Sequence, residues 1–168
     1  RLPDGKIIYV FDSTTNASFT YLQPIEIKQS GLWGAALSDA NSKIISKWTW
    51  QSFDLTLASG KKITLRVEPN KSYSAGGAFA LVDGIQNNKG MLRSAQFLGF
   101  NGNDLEAVVD LGNIKKVDSI ILHAFEQKGS WIYAPASVIF FTSIDGKDFI
   151  QVKEITQRSG TKNLKYSC

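Results

Sequence analysis

The chain has 168 residues, 43% hydrophobic and 20% charged, a balance that belongs to a globular protein rather than a disordered or fibrous one. That length suffices for one ordinary domain or two small ones. Its net charge of +4 is spread thinly, with Lys61-Lys62 and Lys115-Lys116 the only adjacent basic pairs, which argues against a nucleic-acid partner.

No run of about 18 apolar residues occurs, so no membrane span is expected. The first residues, Arg-Leu-Pro-Asp-Gly, include neither an initiator Met nor a signal peptide, and the chain reads as a piece of a longer protein. Cys168 is the single cysteine and the last residue, so no internal disulfide can form.

In chain order the pattern is period two. Lys6 to Phe11 is a β-branched and aromatic run, closed by the polar stretch Asp12 to Asn16. Phe19 to Leu22, Ile25 to Ile27, Leu32 to Leu37 and Ile44 to Phe53 follow, each bounded by Gly, Pro, Ser or Asn. Within the last of these, Trp48 and Trp50 share one face and read as filling a core or a seam, with an exposed stacking surface as the alternative. The stretch "ASGKK", residues 58 to 62, marks either a boundary between two β modules or a hairpin loop. Ile63 to Val67, Leu105 to Leu111, Val117 to Phe125, Ser137 to Ser143 and Phe149 to Ile155 continue the series. Asp145-Gly146 between the last two is a hairpin signal. No dozen residues carry a helical stripe. The expected fold is all-β.

Three acids at even spacing raise the question of chemistry. In a strand from Asp104 to Leu111, Leu105, Ala107, Val109 and Leu111 face inward, while Asp104, Glu106, Val108 and Asp110 face solvent. A glycosidase needs paired carboxylates, but this alternation needs only a wet face. His123 is the only histidine and sits in the apolar run "SIILHAF", no Gly-x-Ser-x-Gly elbow surrounds a serine, and no zinc spacing is present. The residues therefore read as a chain without catalysis of its own.

Two longer stretches carry a family likeness. "YSAGGAFALVDGIQNNKGMLRSAQFLGFNGNDLEAVVDLG", followed by "GSWIYAPASVIFFTSIDGKDF", resembles the coagulation factor V/VIII type C (discoidin-like) domain. It is most similar to the version at the C-terminus of bacterial family 20 glycoside hydrolases, the chitobiase and β-N-acetylhexosaminidase group. "IIYVFDST", "FTYLQPIEI" and "GLWGAAL" are similar to the small fibronectin-III-like module that precedes it in those enzymes. The resemblance implies two β-sandwich modules, fibronectin-III-like over residues 1–60 and discoidin-like, of jelly-roll type, over 61–168. The family's domains usually continue beyond the "S-DG-DF" hairpin, so the second module reads as truncated. The catalytic barrel of the hexosaminidases is absent from this stretch. What is implied is an accessory region of an exported bacterial protein, periplasmic or at the cell surface, whose partners would be the parent's catalytic domain and glycans of N-acetylhexosamine or galactose type. A structural spacer without a ligand is the alternative.

A sugar site on such a module needs an aromatic ring to stack on a pyranose, with fixed donors and acceptors around it. Two loop stretches have that content. Residues 85 to 97 offer Asn87, Asn88, Arg93, Gln96 and Phe97. "HAFEQKGSWIY" offers His123, Glu126, Gln127, Trp131 and Tyr133, with Trp131 read first as a core residue and otherwise as an exposed platform. Asp83 in "LVDG" matches the position where related domains hold a structural calcium, and Asn88 is the nearby helper. Calcium takes six to eight oxygens, and the simpler role for Asp83 is a turn aspartate bonded to its own backbone.

Overall fold

The protein is described by a computed structural model, which covers residues 5–12, 18–86, 96–156 and 163–168. Among these residues the structure is all-β, with short 3-10 turns and no α-helix. The chain divides into two compact units, one of Arg1–Ser59 with Asp83–Gln86 and one of Gly60–Val82 with Asn87–Cys168.

The first unit carries β1 (Lys6–Phe11), β2 (Phe19–Thr20), β3 (Gly31–Ser38) and β4 (Thr49–Phe53). They form one antiparallel sheet in the order β2-β1-β3-β4. Side chains alternate across it, and Ile8, Val10, Ala36 and Ser38 are buried on one face. Gly34 on that face is opposite Trp50, whose indole lies 2.5 Å from where a Cβ would stand. Only a glycine admits the ring so closely. The segment Asp83–Gln86 is tied into this unit by the Asp54 N–H donating to the Gly84 carbonyl at 2.7 Å and by the Gln86 amide donating to the Asp54 carboxylate at 2.6 Å.

Three expected strands differ. Phe19 to Leu22 is a strand only over Phe19–Thr20. Ile25 to Ile27 is not a strand, and Pro24 before it supplies no N–H to a ladder. The run from Ile44 becomes a strand only at Thr49, after a single bridge between Ser38 and Ile44. In between, local bonds compete with the ladder. Asp39 Oδ1 accepts from the N–H groups of Asn41 and Lys43, both at 2.9 Å, and Ser46 Oγ accepts from Leu37 N–H at 2.8 Å.

The second unit holds β5 (Lys62–Leu65), β6 (Ala107–Asp110), β7 (Ile121–Phe125), β8 (Ser137–Thr142), β9 (Ile150–Thr156) and β10 (Asn163–Ser167). Its ladders are β5-β6, β7-β10 and β8-β9, all antiparallel. The core gathers Ala134, Val138, Phe140, Ile155, Leu164 and Tyr166, with Ile120, Leu122 and Ala124 packed against it. The Asp145-Gly146 hairpin joins β8 to β9. There Asp145 Oδ1 accepts from Lys147 N–H at 2.8 Å and from Asp148 N–H and Ser143 Oγ at 2.9 Å, and Gly146 takes a φ of +71°.

β6 keeps the alternation read from its sequence in part. Asp104, Glu106 and Asp110 are exposed, as expected, but Leu105, Val109 and Leu111 are only half-buried and Ala107 is exposed. β5 is the one ladder partner of β6 among the described residues.

Candidate functional site

The exposed acids do not converge. Glu106, just before β6, pairs with Arg66, just after β5, at 2.8 Å, and Asp110 Oδ1 accepts from Gly112 N–H at 2.8 Å. Glu106 is thus engaged with a neighbouring side chain and Asp110 with its own stretch of backbone.

The loop that leaves β7 is built more tightly. Gln127 and Ile132 exchange backbone hydrogen bonds, Gln127 N–H to Ile132 O at 2.9 Å and Ile132 N–H to Gln127 O at 3.2 Å. Inside that closure Lys128–Ser130 forms one 3-10 turn, with Ser130 N–H donating to Gln127 O at 2.8 Å and Trp131 N–H to Lys128 O at 3.0 Å. The Gln127 amide donates to Ser130 Oγ at 2.8 Å. The turn can close only if Trp131 enters the left-handed region, at φ 60° and ψ 26°. That conformation is unfavourable for a side chain with a Cβ.

Trp131 is consequently at the tip and 84% exposed, and Tyr133 two residues on is 60% exposed. The expectation that Trp131 fills the core is corrected. The reason is local: the 3-10 turn and the bridge turn its side chain outward, and Ala134 takes the core position.

Glu126 behaves in the opposite way. It is buried at 7% exposure, with Oε1 3.4 Å from Ala134 N–H and Oε2 3.8 Å from Lys128 Nζ. Its carboxylate thus supports the loop from beneath. Gln127 is half-buried with one amide hydrogen committed to Ser130, while His123 is exposed on β7 opposite Lys165 of β10.

From the other expected stretch, Gln96 and Phe97 are half-buried. The Phe97 ring packs on Phe125 with centroids 5.5 Å apart, which brings the end of that stretch to the end of β7, one residue before Glu126. Phe97 is a packing residue there. Asn87, Asn88 and Arg93 lie outside the described residues.

Asp83 acts as the turn residue that its sequence allows, Oδ1 accepting from Ile85 N–H at 2.8 Å. Partial burial pushes its carboxyl above the ordinary aspartate range, against the pull of the Ile85 bond. One of its oxygens is therefore occupied. Among the described residues no group of three or more His, Cys, Asp or Glu surrounds it. Trp48 and Trp50 stack on each other at 5.4 Å and 26°, with Trp50 39% exposed, so the pair only partly fills a core.

Compared with models of known protein families and with curated proteins, the chain matches none.

Proposed function

We propose that this chain is a non-catalytic carbohydrate-binding module, the accessory region of a glycan-degrading protein of the chitobiase type. The observation that carries the reading is Trp131, an 84% exposed indole fixed at the tip of a hydrogen-bonded loop. An indole held out in this way offers a pyranose an apolar face at little entropic cost, because the loop is already ordered. Tyr133, Gln127 and Lys128 supply hydroxyl, amide and ammonium groups on the same loop. The resemblance to discoidin-like and fibronectin-III-like sandwich modules agrees with an exported parent acting on N-acetylhexosamine or galactose-type glycans. In that reading a structural calcium at Asp83 is an accessory, not a requirement.

The test is titration of the whole chain with N-acetylglucosamine, N-acetylgalactosamine and galactose, following amide and indole shifts by NMR. Affinity should be modest, roughly 0.1–1 mM. It should be nearly insensitive to salt, since a neutral sugar releases no counterions. Trp131→Ala should abolish the shifts.

One observation favours a second reading, a spacer that packs on a catalytic domain. Ile139, Phe141, Ile150 and Val152 of the β8-β9 ladder are all exposed, with Ile150 at 71%. An absence of shifts at millimolar sugar would leave the spacer as the better account.

A further inference from the structure

Asn101-Gly102 is the only Asn-Gly pair in the sequence, and every other asparagine precedes a residue with a Cβ. The chemistry open to such a pair is intramolecular. The backbone nitrogen of the second residue can attack the asparagine Cγ, and glycine has no side chain to obstruct the approach. In a folded protein the reaction runs only where the side-chain amide and that nitrogen are free to meet.

Here both are free. Asn101 and Gly102 are exposed in the loop before β6. Among the described residues no hydrogen bond engages the Asn101 side chain or the Gly102 N–H, and only the Asn101 carbonyl is met, by the Asn103 amide at 3.5 Å. Gly102 takes a φ of +74°, and a Cβ there would find no atom within 4 Å. The loop is anchored on either side of the pair. Gly99 N–H donates to the Tyr73 carbonyl at 2.9 Å, and the Glu106 carbonyl accepts from Arg66 N–H at 3.0 Å. Between these anchors the pair can turn toward attack with only the long Asn103 bond to lose.

The two Asp-Gly pairs among the described residues are the opposite case. Asp145 Oδ1 is held by Lys147 N–H, Asp148 N–H and Ser143 Oγ, while Gly146 N–H donates to Ser143 Oγ at 2.9 Å. Asp83 Oδ1 accepts from Ile85 N–H at 2.8 Å, and Leu55 stands 3.0 Å from where a Gly84 Cβ would be. A carboxylate is also a poorer electrophile than an amide.

We propose that Asn101 is a site of spontaneous deamidation in the folded protein, a covalent change that needs water alone. Gly102 N gives up its proton to hydroxide and bonds to Asn101 Cγ. The bond from Cγ to the side-chain nitrogen then breaks, and ammonia leaves. The five-membered succinimide takes up one water at either of its carbonyls. Opening on one side leaves aspartate at position 101, and opening on the other leaves isoaspartate, with an extra methylene in the main chain. Nothing is oxidised or reduced. Each event lowers the net charge of +4 by one.

The experiment incubates the whole chain at mildly acidic and mildly alkaline pH, folded and in urea, and maps its peptides by mass spectrometry. The folded chain should gain one mass unit at residue 101, faster at the higher pH because the attacking nitrogen must lose its proton. Its rate should stay within about tenfold of the rate in urea, since an exposed, unbonded pair reacts without opening the fold. Hydroxylamine, which cleaves succinimides, should cut the chain between Asn101 and Gly102. Asn101→Ser, which removes only an exposed side chain, should abolish both the mass gain there and the cleavage. A folded chain that stays unchanged while the chain in urea reacts overturns the proposal. So does a mass gain confined to other asparagines, or cleavage that survives Asn101→Ser.

Discussion

Gln127 and Ile132 hold each other by two backbone hydrogen bonds, at 2.9 and 3.2 Å, and the closure forces Trp131 into a left-handed conformation at the tip. Its position is thus set by backbone geometry and not by packing of its own side chain. Trp131→Gly and Trp131→Ala both remove the indole, but only glycine accepts that conformation without cost. The glycine variant should be the more stable of the two by about 1 kcal/mol in urea unfolding. Equal stabilities would show that the turn opens when the indole is lost.

Gly34 and Trp50 make a second close pair. A methyl at Gly34 would stand 2.5 Å from the indole, so Gly34→Ala should cost about 1–3 kcal/mol through overpacking. The change should also shift the fluorescence of the Trp48–Trp50 stack. Most of the loss should vanish in the double variant with Trp50→Ala, since the clash then has no partner. Additive losses would place the strain elsewhere.

Tyr166 is only 2% exposed in the core of the second unit, and its hydroxyl has no hydrogen-bond partner among the described residues. Tyr166→Phe should therefore be neutral or stabilising, by up to about 1–3 kcal/mol, because it removes an unsatisfied polar group. Tyr166→Ala should cost about 3–5 kcal/mol through the cavity it leaves. Denaturant midpoints of the two variants check this, and a destabilised phenylalanine variant would reveal a buried water on the hydroxyl.

Acid titration should separate two aspartates. Lys147 N–H, Asp148 N–H and Ser143 Oγ hold the Asp145 carboxyl below its ordinary range. Its contribution to stability is present above the unfolded-state value and is lost as pH falls through the folded one. Asp83 is raised by partial burial, so its contribution is fully present below the unfolded-state value and is lost as pH rises through the folded one. NMR titration should order the two with Asp83 higher. Asp145→Ala should flatten the acid limb of the stability curve, and Asp83→Asn should flatten the opposing one.

Glu106 and Arg66 form a cross-strand pair with both side chains more than half exposed, 59% and 74%. Glu106→Gln should cost no more than about 0.2–1 kcal/mol and less at high salt. A larger loss in thermal unfolding would mean that Glu106 is held in more than a solvated pair.

Much of this architecture is legible in the residues because strand patterning is local. β1, β8 and β9 follow from β-branched and aromatic runs, β3 from an apolar run bounded by Gly and Ser, and the Asp145-Gly146 hairpin from turn chemistry that six neighbouring residues complete among themselves. The solvent side of Glu106 and Asp110 follows from period two. β10 does not, because Leu164 and Tyr166 are its only core side chains and their partners on β7 lie some forty residues earlier. Ile25 to Ile27 looks like a strand by composition, but a run of three after Pro24 has no partner to define it.

By itself, then, the sequence determined the all-β class, the faces of its longer strands and the hairpins closed by their own side chains. Which apolar residues are spare was decided only in three dimensions. Trp131 and Leu164 read alike in a row of letters, yet a bridge between Gln127 and Ile132 sends one into solvent and a ladder with Ala124 sends the other into the core. On the odd-numbered face of the first sheet Tyr9, Phe11 and Trp33 are half-buried while Ala35 beside them is exposed. Period two assigns a residue to a face. Whether anything covers that face depends on contacts between segments distant in the chain, which no local pattern contains.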